Sequence, residues 1–257
     1  MLNKIKMKNK GQKILLILLV VVFANCKKTG DDDVATGTPP APSIEKVVFT
    51  SQTSAMVHIN STATNFEVSV KGHDGVESTH AGTKSPVSTP IPFGEIVEVK
   101  ARAANGSSEK SAYSASMEVL ATMNVDKGVN RKDMMKTINK ARSEGFSCGG
   151  TSMPAVSKLV WDDKLEGLSI AYANDMFKNN ATNGTGSDGK KFKDRLNDGG
   201  FTCQLYQEIV IKGPSSWTDI MTAIMTNSGS CKIVMSENFK FLAGAHENGN
   251  WTIDFTE

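Results

Sequence analysis

The sequence predicts an α+β protein in which an all-β sandwich precedes a domain of helices and strands. Two observations carry this prediction. Short apolar runs with a period of two residues fill residues 44–121, and capped amphipathic helices separated by strands fill residues 129–257. The chain has 257 residues, which is enough for two modest domains.

Residues 1–25 have the parts of a secretory signal. A lysine-rich start is followed by the apolar run 14–23, which has about ten residues, whereas a membrane-spanning helix needs roughly twenty. Phe23-Ala24-Asn25-Cys26 resembles a bacterial lipobox, from which only Asn25 departs. The resemblance implies that Cys26 is acylated and becomes the new N-terminus; ordinary signal-peptide cleavage or a free cysteine are the alternatives.

Residues 26–43 contain almost no apolar side chains, so we expect a disordered tether. The run Asp31-Asp32-Asp33 is similar to surface-export signals of Bacteroidetes lipoproteins, or is a solvated linker. Together these features imply a lipid-anchored protein of the bacterial envelope, at the outer membrane and facing either the periplasm or the outside. Removal of the signal segment would remove five lysines and lower the formal charge from +2 to −3 (2 − 5); these are Lys4, Lys6, Lys8, Lys10 and Lys13. The sequence has no basic stripe of the kind that indicates binding of nucleic acid.

The β-module is predicted from five alternating runs separated by turn signals. These runs are 47–49, 55–59, 66–70, 96–101 and 117–120. The segments 54–59 and 97–114 resemble strands B, F and G of a fibronectin type III module. The tryptophan expected in strand C of such a module is missing, and Phe66 takes its place in this interpretation. His58, His73 and His80 also lie here; loop and edge histidines explain them better than a metal site does.

The second half alternates helices and strands. Asn130 caps a helix that ends at the loop 145–150, Leu165 to Met176 form a second helix, and a short helix covers 190–197. A strand covers 206–211, Ser216 opens a capping box, and a Ser-Gly turn leads to Cys231. Strands 241–245 and 251–255 follow, joined by the type I′ signal Asn248-Gly249.

Four local patterns in residues 129–257 resemble the CAP superfamily of cysteine-rich secretory, venom-antigen and pathogenesis-related proteins, in its bacterial SCP-type form. They are I-N-K-A-R at 138–142, L-V-W-D-D-K-L at 159–165, G-S-D-G-K-K-F-K-D-R-L-N-D-G-G-F at 186–201 and Q-E-I-V-I-K-G at 207–213. The resemblance implies a three-layer α-β-α sandwich.

The resemblance also implies a cleft where two histidines and one or two acids bind zinc. The first histidine position is occupied by Gly184 and the second by Ser230, while the acid is present as Glu208. Zinc needs three or four N, S or O ligands, so we predict no metal and no cofactor. We also predict no catalytic residue, because a serine relay lacks its histidine. Glu208 is expected at a strand end, holding backbone N–H groups or a loop.

The resemblance pairs Cys148 with Cys231, which an exported chain permits. Cys203 would then be a small buried residue or a free thiol; a Cys203–Cys231 bond is the alternative.

Three functions fit these observations. The first is a non-catalytic surface protein that binds a small molecule, lipid, glycan or protein in its CAP-like domain. The second is a hydrolase or peptidase that uses Glu208. The third is an adhesive or structural lipoprotein that captures partners through the β-module.

Overall fold

The computed structural model describes residues 38–105, 109–123, 130–181, 183–213 and 216–257. The predicted signal segment, Cys26 and most of the tether lie outside these ranges. Fourteen strands and five helices within them make a mixed α+β structure, as predicted. No helix in the described ranges is long and apolar enough to cross a membrane.

The first part of the chain contains only strands. They are β1 (Ser43–Ser51), β2 (Ser54–Asn60), β3 (Asn65–Lys71), β4 (Glu77–Gly82), β5 (Val87–Pro90), β6 (Ile96–Asn105), β7 (Glu109–Lys110) and β8 (Met117–Leu120). One sheet has the order β1-β2-β5; the other has the order β4-β3-β6-β7, with β8 also paired to β6.

The alternation of apolar residues positions these strands. Val57 of β2, Val68 of β3 and Val99 of β6 are fully buried and belong to one core shared by both sheets. Strand β4 (Glu77–Gly82) was not predicted, because its sequence is polar and it forms only by pairing with β3. The sandwich arrangement and the fibronectin type III likeness stay predictions.

The second part mixes helices and strands. Its elements are α1 (Arg131–Glu144), β9 (Phe146–Cys148), β10 (Thr151–Met153), β11 (Val160–Trp161), α2 (Asp163–Asn179), α3 (Phe192–Asp198), β12 (Tyr206–Lys212), α4 (Trp217–Thr226), α5 (Ser228–Val234), β13 (Phe241–Glu247) and β14 (Asn250–Thr256). The main sheet has the order β11-β13-β14-β12, in which only β11 and β13 are parallel.

N-cap side chains determine where three of the helices begin, as predicted for Asn130 and Ser216. Asn130, Asp162 and Ser216 each accept a backbone N–H from the first turn of their helix. The predicted Ser-Gly turn before Cys231 is wrong, because residues 228–234 form helix α5. Asn227 caps this helix by accepting the N–H of Ser230 at 3.0 Å, while Cys231 and Val234 anchor it in the core.

Helices cover both faces of the main sheet. Asp254 of β14 contacts Ser169 of α2, so the side chains of Asp254 and Thr252 point toward α2. Gly244 of β13 lies against Met134 of α1, with 3.0 Å between the Met134 side chain and the position of an added Cβ. The helix–sheet–helix order agrees with the predicted three layers.

The predicted disulfide is supported. Cys148 and Cys231 are bonded across a sequence separation of 83 residues, which ties β9 to α5. On the loop-entropy model, closing a loop of this length stabilises a fold by about 4–5 kcal/mol. Among the cysteines that the structure describes, Cys203 has no disulfide partner, and it is partly buried against the same core.

Candidate functional site

A polar cluster lies between the main sheet and α2. Glu208 in β12 pairs directly with Asp254 in β14, so both carboxyl groups lie on the face toward α2. Thr252, two residues before Asp254, shares this face and contacts both acids. The predicted position of Glu208 at a strand end is wrong: it is the third residue of β12, and the β14 ladder continues on both sides of it.

Arg195 of α3 forms the positive side of this cluster. Its Nη2 lies 2.5 Å from Oε1 of Glu208, and its Nη1 donates to the carbonyls of Gly184 at 3.1 Å and Lys190 at 3.0 Å. The guanidinium also lies 3.9 Å from the ring centroid of Tyr172. Only 11% of the Arg195 side chain and 6% of the Glu208 side chain are exposed, so this ion pair is largely shielded from water.

Gly184 lies beside Glu208, where the family resemblance expected a histidine. Its φ of +74° favours glycine, and an added Cβ would be 3.2 Å from Oε2 of Glu208. Ser230 lies in the first turn of α5, and the hydrogen bond described for it goes to Asn227. The structure therefore brings Gly184 to Glu208, whereas Ser230 makes no described hydrogen bond with this cluster.

The hydrogen-bond distances favour a pair of acids that holds one proton. Thr252 Oγ1 lies 3.2 Å from Glu208 Oε1 and 3.0 Å from Asp254 Oδ1, yet one hydroxyl can donate only once. A protonated Asp254 that donates to Thr252 lets Thr252 donate to an ionised Glu208. Ser169 Oγ, at 2.5 Å, can donate to Oδ2 of Asp254. Arg195 then balances the one negative charge that remains.

Burial is the largest cause of the shifted pKa values in this cluster. Burial, and then the negative charge of Glu208, raise the pKa of Asp254 from 3.8 to about 8. Burial also raises the pKa of Glu208, although the charge of Arg195 opposes this. Burial, followed by the negative charge of Glu208, also raises the pKa of the Tyr172 hydroxyl.

We expect the raised pKa of Asp254 to appear in the stability of the protein. The folded state holds this proton more tightly than the unfolded state, so the free energy of unfolding should decrease as pH rises from about 4 through about 8. Asp254→Asn should flatten this decrease, because an amide does not titrate. Urea unfolding at several pH values measures the effect, with the exposed Asp198→Asn as the control; an unchanged slope in Asp254→Asn would contradict the assignment.

The donor set does not fit zinc. Oε1 of Glu208 already accepts hydrogen bonds from Arg195 and Thr252, Asp254 is held by Ser169 and Thr252, and Gly184 has no side chain to offer. Zinc prefers three or four N, S or O ligands without a competing cation among them. Within the part of the chain that the structure describes, no group of three or more His, Cys, Asp or Glu side chains could hold a metal ion. The predicted absence of zinc stays a prediction.

Sequence reasoning missed Arg195, Asp254, Tyr172 and Ser169 as members of one cluster. Arg195 belongs to the quoted segment 186–201, but its partner is thirteen residues away in the next strand. Asp254 is a charged residue at an alternate position of a strand, which indicates a polar sheet face. Its pairing with Glu208 depends on a strand register that the sequence does not state.

A second candidate site is an apolar groove between α1 and α4. Its volume is about 500 Å³. Apolar side chains form its walls, namely Ala141, Phe146, Trp217, Met221 and Met225, and polar side chains at its margin include Thr137, Lys140, Glu144, Thr218, Thr222 and Thr226. Trp217 packs against Trp251 with ring centroids 6.1 Å apart and donates to Thr137 at 3.3 Å, which links the two helices.

Comparison with known proteins supports a CAP/SCP domain. The model of the CAP family, described as the cysteine-rich secretory protein family, matches residues 135–255. No curated protein matches the chain.

Solved structures give weaker likenesses. An extracellular protein containing an SCP domain from Bacillus anthracis has a TM-score of 0.44 and 13% identity, covering 84% of this chain and 68% of that one. An outer surface protein from Borrelia burgdorferi has a TM-score of 0.44 and 16% identity, covering 52% and 96%. The FN5 domain of Drosophila Lar has a TM-score of 0.28 and 11% identity, covering 32% and 95%. These likenesses concern the fold alone.

Proposed function

We propose that this chain, which carries a CAP/SCP domain over residues 135–255, is a non-catalytic binding protein of the cell surface. It takes a lipid-like ligand with one apolar chain into the groove between α1 and α4. Cys26, which lies outside the described residues, carries the lipid anchor, and the acid cluster at Glu208 stabilises the fold. The observation that carries this proposal is the apolar groove itself.

The size and walls of the groove favour a small apolar molecule. Its volume of about 500 Å³ lies within the roughly 300–1,000 Å³ typical of ligand pockets. Met221 and Met225 are flexible and polarisable, so they adapt to an alkyl chain of variable shape. A protein partner usually needs about 800 Å² of surface on each side, which a groove between two short helix segments does not supply alone.

The margin of the groove suits the polar end of such a ligand. The hydroxyls of Thr137, Thr222 and Thr226 donate to carbonyls of their own helices, so toward a ligand they act as acceptors. Lys140 and Glu144 line the same groove. An amphipathic molecule can bury its chain against Ala141 and Met221 while its polar end stays in water. This division of apolar walls and polar margin is typical of sites for lipids.

The contacts of Glu208 support a structural role over the hydrolase alternative. A general base needs a free carboxylate within reach of a substrate proton. One oxygen of Glu208 is occupied by Arg195 and Thr252, and the side chain is largely buried. No histidine is described in contact with it within the residues that the structure describes.

A titration with a fluorescent long-chain fatty acid tests this proposal. Ala141→Phe should fill the groove and weaken binding by at least about tenfold, since a tenfold change corresponds to about 1.4 kcal/mol. Ala171→Phe, at an exposed position of α2, is the matched control and should bind as the wild type does. Equal affinity of Ala141→Phe and the wild type, with both variants folded, would contradict the proposal.

A further inference from the structure

The β-strand part and the α1 side of the CAP domain meet at a closely fitted junction. The backbone N–H of Trp161 donates to the carbonyl of Gly94 at 2.8 Å. Gly94 has a φ of +76°, and an added Cβ would lie 2.3 Å from the carbonyl oxygen of Trp161. Ile96 and Leu120 pack against the core of the helical part. Residues from both parts that line a groove at this junction are therefore held in fixed positions.

Such a groove lies beside α1 and is lined by lysines. Its volume is about 310 Å³, and its charged lining consists of Lys136, Lys140 and Lys158, with His73 from the β-strand part. No carboxylate is among its lining residues, all of which belong to the described ranges. A neighbouring cavity of about 610 Å³ shares His73, Ser143 and Lys158 with this groove.

The three lysines that line this groove differ in whether a carboxylate neutralises their charge. Lys136 Nζ lies 2.5 Å from a carboxylate oxygen of Glu118. Lys158 Nζ donates to the uncharged carbonyl of His73 at 2.8 Å. No ion pair is described for Lys140 or Lys158 within the described part of the chain, and an ammonium group has three protons to donate. These two lysines therefore retain charge and donors that an anion can use.

Other groups at the groove limit the kind of anion. The Nδ1 atom of His73 is buried, has no hydrogen-bond partner among the residues that the structure describes, and lies 3.4 Å from Glu95 Oε2. Asp74 and Glu237 line the neighbouring cavity. Carboxylates around the lysines disfavour an extended polyanion, because its further charges would meet like charges. A single compact anionic group can contact the lysines without approaching these carboxylates.

We propose that this groove binds a tetrahedral oxyanion, the phosphate or sulfate group of a small molecule, between Lys140 and Lys158. Lysine binds such groups as a point charge, and several oxygens let one anion accept from both side chains. The neighbouring cavity has room for the rest of a molecule that carries the group, such as a saccharide. The site is made by both parts of the chain, and of its lining residues it shares only Lys140 with the apolar groove.

Calorimetric titration of the full chain tests this inference with inorganic phosphate, inorganic sulfate and a sulfated monosaccharide. At low salt we expect at least one probe to bind, and Lys140→Gln/Lys158→Gln to weaken it by roughly tenfold through loss of charge-assisted contacts. Lys178→Gln, in an exposed position of α2, should leave the affinity unchanged. Tighter binding of the sugar than of the free ions would identify a saccharide as the source, whereas equal affinities would identify the free ion.

The inference is overturned if no probe binds, or if the double variant binds as tightly as the wild type. Equal weakening by Lys178→Gln would also overturn it, because the effect would then reflect net charge alone. Lys158→Gln should leave binding of the fluorescent fatty acid unchanged, since Lys158 does not line the apolar groove. Failure of this inference is therefore distinguishable from failure of the proposed lipid binding.

Discussion

Arg142→Met should destabilise the protein by about 3–5 kcal/mol, because it removes a buried cation and leaves its acceptors without donors. The Arg142 side chain is completely buried in α1. It donates to the carbonyls of Ser157 at 2.7 Å, Val234 at 2.6 Å and Ser236 at 2.8 Å, and to Phe239 at 3.4 Å. Burial lowers its pKa to about 10, so it stays charged at neutral pH.

Arg142→Lys is the informative companion variant. It keeps the positive charge but loses the planar fork that reaches several carbonyls at once. We expect it to lose most of the stability that Arg142→Met loses. Urea unfolding at neutral pH measures both; a loss below about 1 kcal/mol in Arg142→Met would show that the guanidinium does not hold α1 to the segment after α5.

Arg195→Met should be the second large effect, at about 3 kcal/mol or more, because it leaves the buried charge of Glu208 without compensation. Arg195→Met/Glu208→Gln should recover part of this loss, since no uncompensated charge remains. A double-mutant cycle by urea unfolding should therefore give a coupling energy of at least about 1.5 kcal/mol between the two side chains.

Additive single losses would contradict this account of the cluster. Additive losses would mean that, in the Arg195→Met variant, the Glu208 carboxyl group is either in contact with water or protonated. A control cycle with Lys136→Met and Glu118→Gln, an exposed ion pair, should give a coupling energy below about 1 kcal/mol. The contrast between the two cycles isolates the effect of burial.

Local features of the fold could be predicted from the sequence because short-range chemistry determines them. Asn130 and Ser216 cap their helices through side chains that reach only three residues along the chain. Asn248 and Gly249 both have positive φ values, as a type I′ turn requires. The Cys148–Cys231 pairing came from the family resemblance, since spacing alone leaves the alternative with Cys203 open.

The features that were missed depend on contacts between distant segments. The seven-residue pairing of β12 with β14 places Glu208 opposite Asp254. A shift of one residue would have separated them to opposite faces of the sheet. Helix α5 was missed because Asn227-Ser228-Gly229-Ser230 has the composition of a turn. The burial of Cys231 and Val234 in the core, which the sequence does not state, stabilises this segment as a helix.

The candidate site was predicted only in part. The resemblance identified Glu208 and Gly184, and the structure places them together. The resemblance did not show that Arg195 forms an ion pair with Glu208, or that Asp254 of β14 lies opposite Glu208. Neither contact follows from a local motif. The apolar groove needed the positions of α1 and α4, which the amphipathic pattern of each helix alone does not supply.

The central claim is that ligand binding depends on the apolar groove and not on the acid cluster. The most direct measurement is the dissociation constant of the fluorescent fatty acid for Glu208→Gln and Ala141→Phe, side by side with the wild type. The account predicts wild-type affinity for Glu208→Gln and a loss of at least about tenfold for Ala141→Phe. Loss of affinity in a folded Glu208→Gln variant, with Ala141→Phe unchanged, would contradict it and place the ligand at the acid cluster.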